Sequence, residues 1–224
     1  MNRKLNNLTL LIPAKNESES LPLVLKELKK YNVKKIIVLQ KDDLETIGAI
    51  KDKKTKIIFQ KKNGYGSAIK EGIINIKTKY LCIFNADGSF NPRELNKMHN
   101  ILNKSDFVFG SRYTNKAGSK DDTFLTFIGN KIFSLIGKLF FKIQLDDILY
   151  TFIMGKTKKF KSLKLKNYDF RICIEIPLKI TLKKFRYTLS SSMERKRLHG
   201  EKKVNEFKDG FLISCYMLKK FLIK

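Results

Sequence analysis

The sequence has few cysteines and no long apolar run, and both shortages narrow the classes of protein it can belong to. Cys82, Cys173 and Cys215 are odd in number and far apart, in apolar surroundings. They provide neither a disulfide framework nor a zinc-binding spacing, which favours a reducing compartment. No uninterrupted apolar run reaches about 18 residues, so no transmembrane helix is predicted. Residues 1–4 lead straight into a predicted strand without a cleavable signal. We therefore expect a cytoplasmic protein.

Acidic residues are also scarce. The 224 residues contain 47 Lys and Arg against 21 Asp and Glu, a net charge of +26. Such a field attracts polyanions: nucleic acid, an anionic membrane surface or phosphorylated small molecules. The alternative is a compositional bias toward Lys, Ile and Asn without functional meaning. No aromatic stacking motif of the RNA-recognition kind is present, so nucleic acid is not predicted as a partner.

Apolar runs that alternate with helical patterns predict a doubly wound, mostly parallel α/β sheet with helices on both faces. Strands are predicted at residues 8–12, 33–39, 57–59, 80–84 and 106–110, and a further β segment at 185–193. The first helix is predicted through Leu21, Leu25 and Leu28, capped by Asn16 or Ser18, with acids in its first turn. Further helices are expected up to about Ile76, after Pro92, at 168–183 with Pro177 as a kink or end, and through 207–222.

The chain is organised around residues 84–92, where a buried strand stops at a polar, acidic turn. Ligands of open α/β sheets bind at the carboxyl ends of such strands. Asp87 is therefore placed where a hard cation and its phosphate ligand would be held. Mg²⁺ and Mn²⁺ take oxygen ligands, usually one or two protein carboxylates plus substrate phosphates. The alternative is an ordinary Asp-Gly turn after a strand.

Two other polar segments are candidates for contacts with phosphate. Gly64 and Gly66 lie in a turn at a predicted helix N-terminus, where backbone N–H groups can bind phosphate, although two glycines alone are a weak indicator. Residues 194–203 form a dense basic loop. The alternative interpretation of that loop is a solvated run of charge.

The segment from Phe124 to Ile143 has a different pattern, in which Lys131, Lys138 and Lys142 interrupt an apolar run. It predicts an amphipathic helix or helix pair, either in the core or in a membrane interface with its lysines among the headgroups. In a single straight helix the apolar residues cannot all face one core. Some are therefore expected to be exposed, or buried against a second chain in a homo-oligomer.

Five ordered blocks give the chain a resemblance to the family 2 glycosyltransferases. They lie at residues 12–17, 63–72, 85–89, 110–113 and 197–203. The resemblance covers about residues 8 to 205 and is closest to the polyprenyl-phosphate branch, typified by dolichyl-phosphate mannose synthase. It implies a GT-A-type fold with C-terminal amphipathic helices and a divalent cation, Mg²⁺ or Mn²⁺. It also implies inverting transfer of a hexose from a GDP- or UDP-linked donor, such as GDP-mannose, to a polyprenyl phosphate at the inner face of a membrane.

The resemblance also implies a role for particular residues. The catalytic group comprises Asp87, Arg112, Asp147, Arg197 and Lys203. The donor-binding group comprises Pro13, Ala14, Asn16, Glu17, Gln40, Asp42, Gly66, Asn85 and Ala86. The metal ligands are Asp87 and Ser89. Within one domain spanning 1–224, residues 1–115 are expected to bind the nucleotide sugar, 116–205 to form the acceptor side, and 206–224 to form a C-terminal helix.

The chain departs from the family pattern at several of these positions. Asn85 replaces the first acid of the central motif, and Gln40-Lys41 replaces an acidic pair. Thr151 and Ile153 stand where Gly and Arg are usual, and Glu175 corresponds only loosely to an acid on a late helix. These departures leave two alternatives open: a family 2 enzyme with a soluble or glycan acceptor, or a degenerate relative that binds the nucleotide sugar without turnover.

Overall fold

A seven-stranded, mostly parallel sheet lies at the centre of the computed structural model, which describes residues 5–223. The expectation about residues 1–4 falls outside the described part. The strands are β1 Leu8–Pro13, β2 Lys34–Leu39, β3 Thr55–Phe59, β4 Tyr80–Ile83, β5 Phe107–Ser111, β6 Gly118–Ser119, β7 Ile153–Lys156, β8 Tyr187–Ser191 and β9 Met193–Glu194. The sheet order is β3-β2-β1-β4-β7-β5-β8, and β6 pairs with β9 in a separate ribbon.

The helices are α1 Ser20–Leu28, α2 Leu44–Ala49, α3 Tyr65–Asn75, α4 Glu94–Ile101, α5 Phe124–Phe141, α6 Thr157–Ser162, α7 Ile172–Leu182 and α8 Glu206–Leu222. They cover both faces of the sheet. Leu10 and Ile12 of β1 pack on one side with α1 and α4, whereas Leu11 packs on the other with α3 and α7. Successive strand residues point to opposite faces, so one strand contributes to two cores. The predicted α/β class, with a C-terminal helix, is confirmed.

Strand β7 is the one strand of the seven-stranded sheet that the sequence did not predict. It runs antiparallel between β4 and β5, with Met154 opposite Cys82 on one side and Val108 on the other. A Cβ at Gly155 would lie 2.5 Å from the Phe107 ring, so glycine leaves room for that ring. Four residues with a glycine and no alternation have no recognisable strand pattern. Tertiary pairing, not local preference, defines β7.

The predicted start of the first helix was wrong. Helix α1 begins at Ser20, its N-cap is Glu19 without a side-chain hydrogen bond, and no acid lies in its first turn. Asn16 instead has a positive φ of 52° and donates its backbone N–H to the Asp43 carboxylate at 2.8 Å. Of the two alternatives for Pro177, the end of a helix is excluded, because Pro177 lies inside α7.

Residues 124–141 form the single helix α5. Asn130, Ser134, Gly137 and Phe141 are buried, whereas Phe124, Leu135 and Leu139 are 80%, 56% and 65% exposed. The expectation that some apolar residues of this segment are exposed is confirmed. By length and composition alone α5 could cross a membrane, with 28% of the segment buried in the fold. Lys131 and Lys138 nevertheless interrupt the apolar run, so the absence of a transmembrane helix stays a prediction.

Candidate active site

A cleft of about 550 Å³ lies at the carboxyl ends of β1, β2, β4 and β5. Its walls also include the turn before α3, one face of α5, the basic loop and the first half of α8. Ten of the predicted site residues line it: Pro13, Ala14, Glu17, Gln40, Asn85, Ala86, Asp87, Arg112, Arg197 and Lys203. Parallel strands place their carboxyl ends at one edge of the sheet, which is why residues distant in sequence meet here.

Asp87 lies in the turn directly after β4. Its Oδ1 accepts the Ser89 backbone N–H at 2.9 Å, and its Oδ2 lies 3.9 Å from the Arg197 guanidinium. Gly88 has a φ of +81°, a conformation that glycine adopts without cost. The Asp-Gly turn thus fixes one carboxylate oxygen to backbone and leaves the other directed to the cleft. Ser89 itself is buried and does not line the cleft; its Oγ accepts from the Asn85 side chain at 3.3 Å.

The basic loop packs directly on this turn. The Arg195 and Leu198 N–H groups donate to the carbonyls of Ser89 and Asp87, each at 2.8 Å. A Cβ at Gly88 would lie 2.6 Å from the Leu198 side chain, so glycine also allows the loop to approach closely. The loop therefore covers the Asp87 turn, which removes the alternative of a freely solvated run of charge.

Arg197 and Arg112 both line the cleft but have different environments. The Arg197 guanidinium donates to the Asp121 carboxylate at 2.7 and 3.2 Å. The Arg112 guanidinium donates twice to Asp147 at 2.8 Å and once to Glu194 at 3.1 Å. Burial opposes the charge of Arg112, but Asp147 and Glu194 nevertheless raise its pKa above the ordinary value. Arg112 is thus held by carboxylates in this structure.

Asp147 does not line the cleft, although the resemblance implied a catalytic role. Its carboxylate is buried and accepts the Arg112 backbone N–H at 2.9 Å, two N–H groups of the Arg112 side chain, and the Asn130 amide. Asn130 in turn accepts the Leu149 N–H at 3.2 Å. These contacts tie β5 to α5 and to the segment before β7, so Asp147 holds the fold around Arg112.

Glu17 lies in the cleft wall below the basic loop. Its carboxylate is buried and accepts the Ser20 hydroxyl, and its backbone N–H donates to Thr46 at 2.9 Å. Burial raises the pKa of Glu17, and the nearby Asp87 charge adds to this effect, while Ser20, Lys203 and Arg197 oppose it. A carboxylate held in this way is a candidate for contact with a ligand hydroxyl group.

The turn before α3 uses its glycines for packing. A Cβ at Gly64 would lie 2.2 Å from the Tyr168 carbonyl, and one at Gly66 would lie 2.7 Å from the Asn167 carbonyl. The Ser67 N–H lies at the N-terminus of α3, where backbone N–H groups can bind phosphate. It donates instead to the Tyr168 carbonyl at 3.0 Å. Gly66 therefore supports the cleft from behind without lining it, and Gly64 lines it.

Side-chain amides surround this end of the cleft. The Gln40 amide donates to the Asn63 side chain at 2.6 Å, and the Gln60 amide donates to the Gly64 carbonyl at 3.0 Å. Asn16 and Asp42 do not line the cleft; both are exposed, and the backbone of Asn16 is tied to Asp43. The two glutamines directly follow β2 and β3, so the strand ends position them.

Sequence reasoning missed much of the opposite wall. Asp121, Asp122 and the first half of α8, through Glu206, Asp209 and Ile213, also line the cleft. The amphipathic pattern of residues 207–222 predicted a helix, but nothing in the pattern indicates which cavity a terminal helix covers.

The comparisons with known proteins agree with this geometry. The model of "Glycosyl transferase family 2" matches residues 9–164, more than half of the chain. The chain belongs to glycosyl transferase family 2. The matched region runs from β1 through α6 and includes the Asp87 turn and Arg112.

Curated relatives of the chain match about half of it, at about 30% identity. An uncharacterised glycosyltransferase of Mycobacterium tuberculosis (strain H37Rv) is 32% identical over 106 residues, 46% of this chain and 48% of the relative. An uncharacterised protein of Methanocaldococcus jannaschii is 29% identical over 126 residues, 53% of this chain and 52% of the relative. The alignments thus span about half the length of these relatives.

Solved structures share the fold of this family 2 chain at low identity. Glucosyl-3-phosphoglycerate synthase from M. tuberculosis, in complex with Mn²⁺, UDP and phosphoglyceric acid, has a TM-score of 0.70 at 13% identity, covering 97% of this chain and 79% of that one. Mannosyl-3-phosphoglycerate synthase from Rubrobacter xylanophilus has a TM-score of 0.69 at 12% identity, covering 96% and 73%. At this identity the likeness shows the fold alone, which confirms the GT-A-type expectation.

The charge of the family 2 cleft differs from that of the whole chain. Although the net charge is +26, the cleft is lined by more acidic than basic side chains. The acids are Glu17, Asp87, Asp121, Asp122, Glu194, Glu206 and Asp209, and the bases are Lys15, Arg112, Arg197, Lys202 and Lys203. Two of the five bases are already paired with carboxylates. The excess positive charge of the chain therefore lies mainly on its outer surface.

Proposed function

We propose that the protein transfers a hexose from a nucleotide sugar, GDP- or UDP-linked, to a polyprenyl phosphate at the cytoplasmic surface of a membrane. The observation that carries the proposal is the cleft itself. It has the Asp87 turn at one end and is walled at the other by α5 and α8, whose outer faces are apolar. Residues 1–115 form the donor half, 116–205 the acceptor side, and 206–224 the terminal segment that contains α8.

A divalent cation, Mg²⁺ or Mn²⁺, fits this donor set. The described residues contain no cluster of three or more His, Cys, Asp or Glu that could hold a metal by itself. Asp87 is the acid at the strand end. Such cations commonly use one or two carboxylates and complete their shell with substrate phosphates. In a cleft with more acids than bases, the cation would neutralise the diphosphate of the donor. The complex of the glucosyl-3-phosphoglycerate synthase with Mn²⁺ and UDP supports this assignment.

The donor would bind along the strand ends. Pro13, Ala14 and the amides of Gln40 and Asn63 surround the space for the nucleoside, and Asn85 and Glu17 offer partners for hydroxyl groups. An oxygen of the acceptor phosphate attacks the anomeric carbon from the face opposite the diphosphate. The bond between that carbon and the diphosphate oxygen breaks, and the configuration inverts. Because a phosphate is ionised near neutral pH, the reaction needs no general base.

Arg197 and Lys203 are suited to stabilise the leaving nucleoside diphosphate. Both line the cleft in the loop that covers the Asp87 turn. Arg offers a planar fork to phosphate oxygens and Lys a point charge. Asp121 holds Arg197 in place before the donor arrives. Charge that develops on the leaving group is thereby met by donors already positioned.

The outer faces of α5 and α8 are suited to an anionic membrane. Phe124, Ile128, Ile132, Leu135 and Leu139 are exposed on α5 beside Lys131 and Lys138. Phe211, Leu218 and Leu222 are exposed on α8 beside Lys208 and Lys219. Each lysine near an anionic surface contributes roughly 1 kcal/mol of attraction. A lipid acceptor could then enter the cleft between the helices without leaving the interface.

A soluble phosphorylated acceptor is the second candidate. The similar solved structures are synthases of glucosyl- and mannosyl-3-phosphoglycerate, and one contains phosphoglyceric acid. In that case the apolar faces of α5 and α8 would instead be covered by a second copy of this chain.

The experiment proceeds in two stages. A thermal-shift screen of UDP-, GDP- and dTDP-sugars with Mg²⁺ or Mn²⁺ identifies the donor, because a ligand at one hundred times its dissociation constant adds about 2.7 kcal/mol of stability. Transfer of that sugar is then measured to polyprenyl phosphate in anionic vesicles and to 3-phosphoglycerate in solution. Transfer to the lipid alone supports the proposal, and transfer to phosphoglycerate alone establishes the second candidate. Donor binding with no transfer to either acceptor would indicate a degenerate relative and overturn the enzymatic proposal.

A further inference from the structure

Glu175 is a buried carboxylate on α7 that does not line the cleft, yet it is fully engaged with one loop. It is 1% exposed and accepts the N–H groups of Lys166 at 2.7 Å and of Asn167 at 2.9 Å. It also accepts the Asn167 side-chain amide at 2.8 Å and pairs with Lys179 at 2.7 Å. Burial alone would raise the pKa of Glu175, but Lys179 and the backbone donors hold it below the ordinary value. The charged form thus anchors the loop.

The anchored loop, residues 166–169, is the surface against which the glycine turn is packed. The Tyr168 carbonyl accepts the Ser67 N–H, and the carbonyls of residues 167–169 leave no space for a Cβ at Gly64 or Gly66. One helical turn after Gly66 on α3, the Lys70 ammonium donates to the Lys166 carbonyl at 3.0 Å. Backbone contacts at such distances allow little displacement. The position of the turn therefore follows the position of the loop.

The same loop leads directly into the cleft wall. Phe170 follows it and stacks on Tyr65, with ring centroids 5.1 Å apart and an interplanar angle of 15°. Both rings line the cleft beside Asn63 and Gly64, and the Tyr65 hydroxyl bonds to Thr151 at 2.8 Å. A displacement of residues 166–169 would move this aromatic pair and the glycine turn together.

We propose that Glu175 is a positioning residue that fixes residues 166–169 and, through them, the nucleoside end of the cleft. The inference rests on the proposed function in that it takes this end of the cleft to hold the nucleotide. Glu175 itself touches no substrate. It acts through the glycine turn and the Tyr65–Phe170 pair, so it should determine donor affinity and leave the acceptor end unaffected.

The test replaces Glu175 by Ala and by Gln and measures both substrates. Glu175→Ala should raise the donor KM, and the dissociation constant of the free nucleotide, about tenfold with kcat and acceptor KM unchanged, the pattern of lost uniform binding. Glu175→Gln keeps the size and one carbonyl oxygen, so its effect should be smaller. Amide hydrogen exchange at Ser67 and Asn167 should be faster in Glu175→Ala than in the wild type.

Asp106→Ala is the matched control. Asp106 is also buried, pairs with Lys156 at 2.7 Å and accepts the Arg186 N–H at 3.2 Å. It lies directly before the amino end of β5, whereas the cleft lies at the carboxyl ends of the strands. It should lower thermal stability with the donor KM unchanged. Equal donor KM in the Ala variants of both residues, or a fall in kcat with Glu175→Ala, would overturn the inference.

The exchange measurement separates this inference from the proposed function. A wild-type protein that binds no nucleotide sugar would overturn the proposed function. In that case faster exchange at Ser67 in Glu175→Ala would still support the positioning role, and unchanged exchange there would overturn it.

Discussion

The two ends of the cleft are built from different parts of the chain. The proposed donor end is made of strand ends and a glycine turn, where the Gln60 amide and the Ser67 N–H donate to neighbouring backbone carbonyls. The proposed acceptor end is made of side chains on α5 and α8, whose outer faces are apolar. Backbone geometry defines the first end, and side-chain charge and apolar area define the second.

This difference indicates how specificity can change within such a fold. At an end built from backbone, a substitution is tolerated only where the side chain does not contact that backbone. The shape of such an end therefore persists when the sequence changes. An end built from side chains on helices changes with each substitution on those helices. Under the proposed function, the acceptor is therefore the part of the reaction that the fold constrains least, which agrees with the range of functions that one fold supports.

The largest effect is expected at Asp87, in the turn that follows β4. Asp87→Ala should abolish metal-dependent binding of the nucleotide sugar, because the carboxylate at the strand end is lost, while the melting temperature stays close to the wild type. Titration calorimetry with Mn²⁺ and the donor measures this. Glu45→Ala, an exposed acid on α2, is the control. Unchanged metal-dependent affinity in Asp87→Ala would show that the cation binds elsewhere.

The next effect separates the two arginines. Arg112→Ala should lower the free energy of unfolding by about 3–5 kcal/mol, because it leaves buried Asp147 without its counterion. Asp121, the partner of Arg197, is less deeply buried than Asp147. Arg197→Ala should therefore cost only about 1 kcal/mol but weaken donor binding. Urea denaturation and nucleotide binding measure the two effects. If both variants lost the same stability, the distinction between a structural and a phosphate-binding arginine would be wrong.

The smallest effect concerns the membrane. The double variant Leu135→Ser with Leu139→Ser should weaken binding to anionic liposomes about tenfold, because two side chains leave the apolar phase, with little change in folding stability, since exposed positions contribute little. Binding should also weaken with salt. Phe133 of α5 is less suitable as a position for this test, because its side chain lines the cleft.

Co-sedimentation with liposomes at two salt concentrations measures this effect. Ile74→Ser on α3, where the side chain is 68% exposed, is the matched control. If the Leu135/Leu139 double variant and Ile74→Ser bound liposomes equally, the membrane would be excluded and a soluble acceptor favoured. The same conclusion would follow if the wild type did not bind liposomes at low salt.

Much of the site was predictable because parallel strands place their ends together. The runs at residues 8–12, 33–39 and 80–84 each end in a polar segment, and Pro13, Gln40 and Asp87 do line one cleft. Several residues named from motifs alone lie elsewhere. Asn16 and Asp42 lie outside the cleft lining, and the glycine turn serves packing, because the backbone of residues 167–169 occupies the space beside it.

The sequence by itself determined the alternation of strands and helices, the acidic turn after β4, the basic loop and the amphipathic character of α5 and α8. These are local patterns, and each follows from the spacing of apolar, polar and glycine residues. Only the tertiary structure decided that β7 inserts antiparallel between β4 and β5, that Arg112 is held by Asp147 and Glu194, and that α8 covers the cleft. Those outcomes depend on contacts between distant residues, whose energies no local pattern contains.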